Sequence, residues 1–132
     1  MVIFLDREAV QQIHNYLVRE FGGASDLRDA GLLESAIEQS RASFGGELLH
    51  PDLASQAAAY LYHLCMNHPF VDGNKRVALG AALVFIELNH HRCSASTQEL
   101  EDLTMAVASG TVNKATVATF FRKHGLGQAE HP

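Results

Sequence analysis

At 132 residues with 47% apolar composition, the chain can bury one sizeable core and is too short for two comfortable domains. Ten basic against fifteen acidic residues give a formal charge of −5, which leaves no electrostatic footprint for nucleic acid and no basic run for a membrane surface. Cys65 and Cys93 are too few and too far apart for a disulfide framework or a zinc site and read as free thiols, and the apolar run Val77 to Ile86 is too short to span a bilayer. The start Met-Val-Ile-Phe-Leu turns polar at Asp6 without a basic leader, so a cytoplasmic protein is expected.

Val2 to Leu5 reads as a short strand, and Asp6 as the cap of a first helix with the stripe Val10, Ile13, Leu17, Val18 and Phe21, stopped by Gly22-Gly23. His14 lies beside that stripe as a packed or half-exposed residue. Ser25 to Ala30 is a polar connection in which Arg28 and Asp29 tie down the chain. Gly31 begins a helix that turns Leu33, Ala36 and Ile37 inward. Arg41 to His50, with Gly45-Gly46 at its centre, reads as an exposed loop or small hairpin.

Pro51 suits the first turn of the next helix and Asp52 its positive end, with Leu53, Ala57, Leu61 and Leu64 repeating at helical spacing as far as Asn67. After the loop's His68 to Gly73, Lys75 to Asn89 is expected to be the central helix, because residues 77 to 86 are apolar on every side and have to be enclosed by other helices. A strand through Leu83 to Ile86 is the alternative, against which the length and the small Gly80, Ala81 and Ala82 weigh. Arg92 to Ala95 has room for a second short strand. Ser96-Thr97-Gln98-Glu99 has the form of a capping box, opening a helix with Leu100, Leu103 and Val107 on one face and Gly110 at its close. A last helix runs from about Asn113 to His124-Gly125 with Val117, Phe120 and Phe121 inward. One domain over 1–126 and a loose tail over 127–132 result. The spacing of His63 and His68, and the adjacency of His90 and His91, do not suit a shared metal.

The loop His68-Pro-Phe-Val-Asp-Gly-Asn-Lys-Arg76 concentrates the chemistry. Pro69 disfavours a helical conformation at His68, Gly73 accepts a positive φ, and Asn74 can cap the helix that follows, leaving N–H groups at a positive dipole end that attracts phosphate. An imidazole at His68 can take a proton from an attacking hydroxyl, and the single carboxylate of Asp72 suits Mg²⁺. Asn74 can donate to a phosphate oxygen, Lys75 and Arg76 can neutralise phosphate charge, and Phe70 and Val71 would be apolar pegs. Singly, each group has an ordinary explanation as a turn, cap or solvated residue. Together, base, metal ligand and anion clamp in one loop point to phosphate chemistry.

The pattern His68-Pro69-Phe70-x-Asp72-Gly73-Asn74-Lys75-Arg76 resembles the signature loop of the Fic/Doc superfamily, and Lys75, where most Fic enzymes have Gly, resembles the Doc branch. A second match runs from Leu27 to Ala36, and with the C-terminal helices the resemblance covers nearly the whole chain. It implies a mostly all-α domain of about six helices, with a flap near 41–50 that holds the target segment by strand-like pairing. It also implies a transferase that uses ATP and Mg²⁺. His68 would be the base and Asp72 the Mg²⁺ ligand, Gly73, Asn74, Lys75 and Arg76 would bind the phosphates, and Phe70 would anchor the loop. Doc is a toxin that phosphorylates a threonine of elongation factor Tu and stops translation, whereas most Fic enzymes transfer AMP. Protein adenylylation is therefore the alternative, and an inactive interaction module the more distant one. Thr97-Gln-Glu-Leu-Glu101 is similar to the inhibitory helix of many Fic proteins, but Asp102 follows where Gly or Asn is usual, and capping already explains its acidic first turn. Without an inhibitor in cis, the resemblance implies a Phd-like antitoxin with a partly disordered tail.

Overall fold

The computed structural model describes residues 1–127, so the expected tail lies outside the described residues from position 128 onward. Helices α1 (Arg7–Phe21) and α2 (Ala30–Gln39) precede a hairpin of β1 (Ser43–Phe44) and β2 (Glu47–Leu48), and α3 (Leu53–Asn67), α4 (Asn74–Leu88), α5 (Thr97–Ala108) and α6 (Lys114–Lys123) follow. The two strands pair antiparallel, Ser43 with Leu48 and Phe44 with Glu47. Among the described residues the architecture is thus mostly all-α, with six helices and one small hairpin. No described helix is long and apolar enough to cross a membrane.

Side-chain caps set most of the helix starts. Asp6, Asp29, Asp52, Ser96 and Asn113 each accept a hydrogen bond from a first-turn N–H, and Ser55 and Glu99 complete capping boxes on α3 and α5. Pro51 therefore lies before the cap rather than inside the first turn. The exception is α4, which starts from Gly73 with no side-chain cap. The expected cap, Asn74, is already inside the helix, and its side chain is turned back into the loop.

The enclosed helix is α3, not α4. Ten of the fifteen residues of α3 are buried, and it packs against α2, α4, α5 and α6. The physical reason is side-chain size: Ala54, Ala57, Ala58 and Ala59 let neighbours approach from several directions. On α4, Val77, Ala78, Ala81, Ala82, Phe85 and Ile86 are buried, but Leu79, Gly80, Leu83 and Val84 are only partly covered and Leu88 is exposed. Gly80 lets α1 come close, since a Cβ there would stand 3.3 Å from both Ile13 and Leu17.

Neither expected short strand forms. Leu5 donates its N–H to the Tyr60 hydroxyl at 2.8 Å and accepts from it at 3.2 Å, and Ile3 exchanges both backbone groups with the Asn89 carboxamide. The side chains of buried Tyr60 and half-buried Asn89 thus satisfy an extended backbone that would otherwise need a sheet partner. Near the other expected strand, Ser94 N–H donates to His124 C=O at 2.8 Å, joining that segment to the end of α6.

Candidate active site

The signature loop is built around a corner between α3 and α4. His68 ends α3 in the left-handed region, φ 49 and ψ 55, a conformation that costs a non-glycine residue about 1 kcal/mol and must be held by its surroundings. Arg28 holds it, donating from Nε to His68 C=O at 2.7 Å and from Nη2 to Asn67 C=O at 3.0 Å. A guanidinium on these last carbonyls also suits the negative end of the helix. The Asn67 side chain donates to Leu32 C=O at 2.9 Å, tying the same corner to α2.

The chain then runs beside the segment before α2. Pro69 C=O accepts from Arg28 N–H at 2.7 Å and Asp29 N–H at 3.0 Å, Val71 N–H donates to Asp26 C=O at 3.0 Å, and Leu27 and Phe70 form an antiparallel bridge. The tying role expected of Arg28 and Asp29 is what they perform. Phe70 is buried as expected, but Val71 is exposed and is no peg; the backbone bond at Val71 does the holding instead. Asn74 accepts from Phe70 N–H and donates to Phe70 C=O, both at 2.9 Å. It is a clasp across residues 70–74, with one amide hydrogen left over for any ligand.

Asp72 and Gly73 form the tip. The carboxylate of Asp72 accepts from Ala24 N–H through Oδ2 at 3.1 Å, and the Gly22-Gly23 turn that presents Ala24 has φ of 87° and 109°. Gly73 has φ 76, where a Cβ would be strained and would also stand 3.4 Å from His14 Nε2. Lys75 and Arg76 are exposed in the uncapped first turn of α4, and the Arg76 guanidinium lies 4.8 Å from the centroid of the Phe21 ring. Both line a cleft of about 540 Å³ with an apolar floor of Leu17, Leu79 and Leu83, and Glu101 at its rim. Burial pushes the Cys65 thiol up, against the opposing pull of Lys75, which disfavours the thiolate.

The structure therefore brings His68, Asp72, Gly73, Asn74, Lys75 and Arg76 to one exposed corner. A family model described as the Fic/DOC family matches residues 4–86, well over half the chain. The chain belongs to the Fic/DOC family. Within it the Doc branch is indicated by two relatives. "Toxin Doc" of Mycolicibacterium smegmatis is 37% identical over 120 residues, covering 89% of this chain and 90% of the relative. "Protein kinase doc" of Escherichia phage P1 is 33% identical over 116 residues, covering 88% and 90%. The sequence reading of this Fic/DOC chain missed Asn67, Ala24 and the inner role of His14. All three contacts use a backbone N–H or a side chain reaching a distant carbonyl, for which residue type carries no signal.

Proposed function

We propose that this protein is the toxin of a toxin–antitoxin pair, a Doc-like kinase that moves the γ-phosphate of ATP to a threonine of elongation factor Tu. The observation that carries the reading is the loop corner, where an exposed imidazole, an exposed carboxylate and two exposed cations meet at what is, among the described residues, the one helix start without a side-chain cap. The name of the phage P1 relative supports phosphoryl transfer, and that of the mycobacterial relative supports a toxin.

In this mechanism the His68 imidazole takes the proton of the threonine hydroxyl as its oxygen forms a bond to the γ-phosphorus. The bond from that phosphorus to the bridging oxygen of ADP breaks, and ADP leaves with the electron pair. Lys75, Arg76 and the first-turn N–H groups of α4 stabilise the equatorial oxygens, whose charge needs placed donors more than covalent help. Asp72 fits Mg²⁺: its carboxylate faces solvent, and among the described residues it spends one oxygen on Ala24. When bound there, the ion would neutralise phosphate charge. Lys75, longer and cationic where Gly would leave room, narrows the anion pocket and favours the γ-phosphate facing the acceptor.

The antitoxin completes the reading. The apolar cleft past Leu17, Leu79 and Leu83 reaches Lys75 and Arg76, and a second apolar cleft past Ile13, Val84 and Leu88 lies beside it along α1 and α4. An amphipathic segment of the Phd-like antitoxin, acidic where it meets those cations, fits these clefts by charge and apolarity. Intact-mass analysis of elongation factor Tu after incubation with this protein, ATP and Mg²⁺, with His68→Ala as control, tests the chemistry. A gain of one phosphoryl group supports the kinase, a gain of one AMP replaces it with adenylylation, and no gain removes this target.

A further inference from the structure

We infer that His14, on the buried side of α1, is a positioning residue for the transfer reaction: its Nε2–H fixes the Asp72–Gly73 peptide on which the candidate metal ligand and the anion corner both depend. The inference rests on the loop being the transfer site. Nε2 lies 2.7 Å from Asp72 C=O, and a carbonyl can only accept, so the hydrogen belongs to Nε2. The other nitrogen, Nδ1, is buried with no partner among the described residues. As a bare lone pair it is tolerable there, whereas an N–H at Nδ1 would be a buried donor with nothing to receive it.

The rest of the ring fits the same task. It stacks on Phe70 with centroids 3.7 Å apart and planes 11° from parallel, and only 1% of the residue is accessible. Gly73 packs against its edge: a Cβ there would sit in van der Waals contact with Nε2 and Cδ2 at 3.4 and 3.6 Å, and it is the positive φ that favours glycine. His14 thus touches the loop's buried anchor, the backbone of its acidic residue and its left-handed glycine. A side chain there for packing alone would have no need of a nitrogen. A phenylalanine would fill the space and keep the stack, yet the Asp72 carbonyl would lose its donor.

His14→Phe keeps the ring and removes the donor, and His14→Gln removes the ring and keeps a donor at similar reach. We expect His14→Phe to bind Mg²⁺–nucleotide about tenfold more weakly by calorimetry, and to lose kcat by about tenfold or more, with the KM for the protein acceptor unchanged. His14→Gln should recover most of the loss. In the wild type, long-range ¹H–¹⁵N correlation should place the ring proton on Nε2, with slow exchange against water. Wild-type nucleotide affinity in folded His14→Phe, equal losses in both variants, or a proton found on Nδ1 would each overturn the inference. The ring-proton and affinity measurements do not depend on which group is transferred, so a wild type that transfers no phosphoryl group defeats the kinase reading without touching them.

Discussion

His63 and His68 lie five residues apart at the end of α3, yet their surroundings differ in kind. His63 is half-buried, and its Nε2 accepts from the Lys114 ammonium at 2.9 Å; the same ammonium reaches His50 Nε2 at 3.3 Å. Burial first, and then the charge of Lys114, hold the His63 imidazole down at about 4. This cluster joins α3, α6 and the chain leaving the hairpin through the two Nε2 atoms and the Lys114 ammonium. At His68 the arrangement is reversed: Arg28 grips the backbone carbonyl and the ring faces solvent. At His63 a side-chain nitrogen is used to join elements, whereas at His68 the backbone is held and the side chain is left over.

The strongest break in this comparison is at the free ring. His68→Ala should keep the fold and lower transfer by about 10²- to 10⁴-fold, the range of a lost general base. Circular dichroism and single-turnover kinetics check it together, and full activity in a folded variant would remove the base assignment. Next comes the grip. Arg28→Ala should lower stability by about 2 kcal/mol, because two carbonyls at the end of α3 lose charged donors and the left-handed His68 loses its brace. Lysine should rescue little, since one ammonium cannot span both carbonyls as the fork does. Equal stability of wild type and Arg28→Ala in urea would show that the brace is not needed.

Much of this was legible in the sequence, for reasons that differ by region. Helix starts were legible because Asp6, Ser96 and Asn113 act on N–H groups within three residues of themselves. The loop was legible because its candidate side chains are contiguous, and Gly73 took the positive φ expected of it. The enclosed helix was misjudged because apolar content measures how much a segment can bury, while the alanines of α3 decide how many neighbours can reach it. Val2 to Leu5 looked like a strand because its pattern cannot disclose that Tyr60 and Asn89, distant in sequence, satisfy its backbone. Asn74 looked like a cap because its residue type suits one, and only the fold turns its carboxamide back onto Phe70.

On the satisfied side, the His63 cluster gives a smaller and opposite kind of effect. A group with a folded value of about 4 against an ordinary 6.5 binds its proton more readily in the unfolded chain. Its contribution to stability is therefore complete above pH 6.5, falls as the pH drops from 6.5 to 4, and is level below. With the ring only half-buried, solvent screening reduces this to about 1 kcal/mol. Lys114→Met should make the decline shallower without abolishing it, because burial is the larger cause and remains. Urea melts at pH 7, 5.5 and 4.5 on both proteins measure the slope, and identical slopes would exclude Lys114 as a contributor.

The smallest effect separates a cap from an ion pair at the start of α3. Burial pushes the Asp52 carboxyl up, but hydrogen bonds from Arg122 and Ser55 outweigh it and hold the group at about 2. Arg122 Nε donates to Oδ2 at 3.0 Å, while Ser55 N–H donates to Oδ1 at 2.9 Å. The guanidinium partner is partly solvent-exposed, with 40% of its side chain accessible, so Arg122→Met should cost only a few tenths of a kcal/mol. Asp52→Ala removes the cap as well and should cost about 1 kcal/mol more. Because the folded value lies below the ordinary 3.8, this contribution is present above that pH and disappears as the pH falls through 2. Equal costs for the two variants at neutral pH would mean that the pair, rather than the cap, fixes where α3 begins. The path from the hairpin to the loop corner would then depend on a contact that salt can weaken.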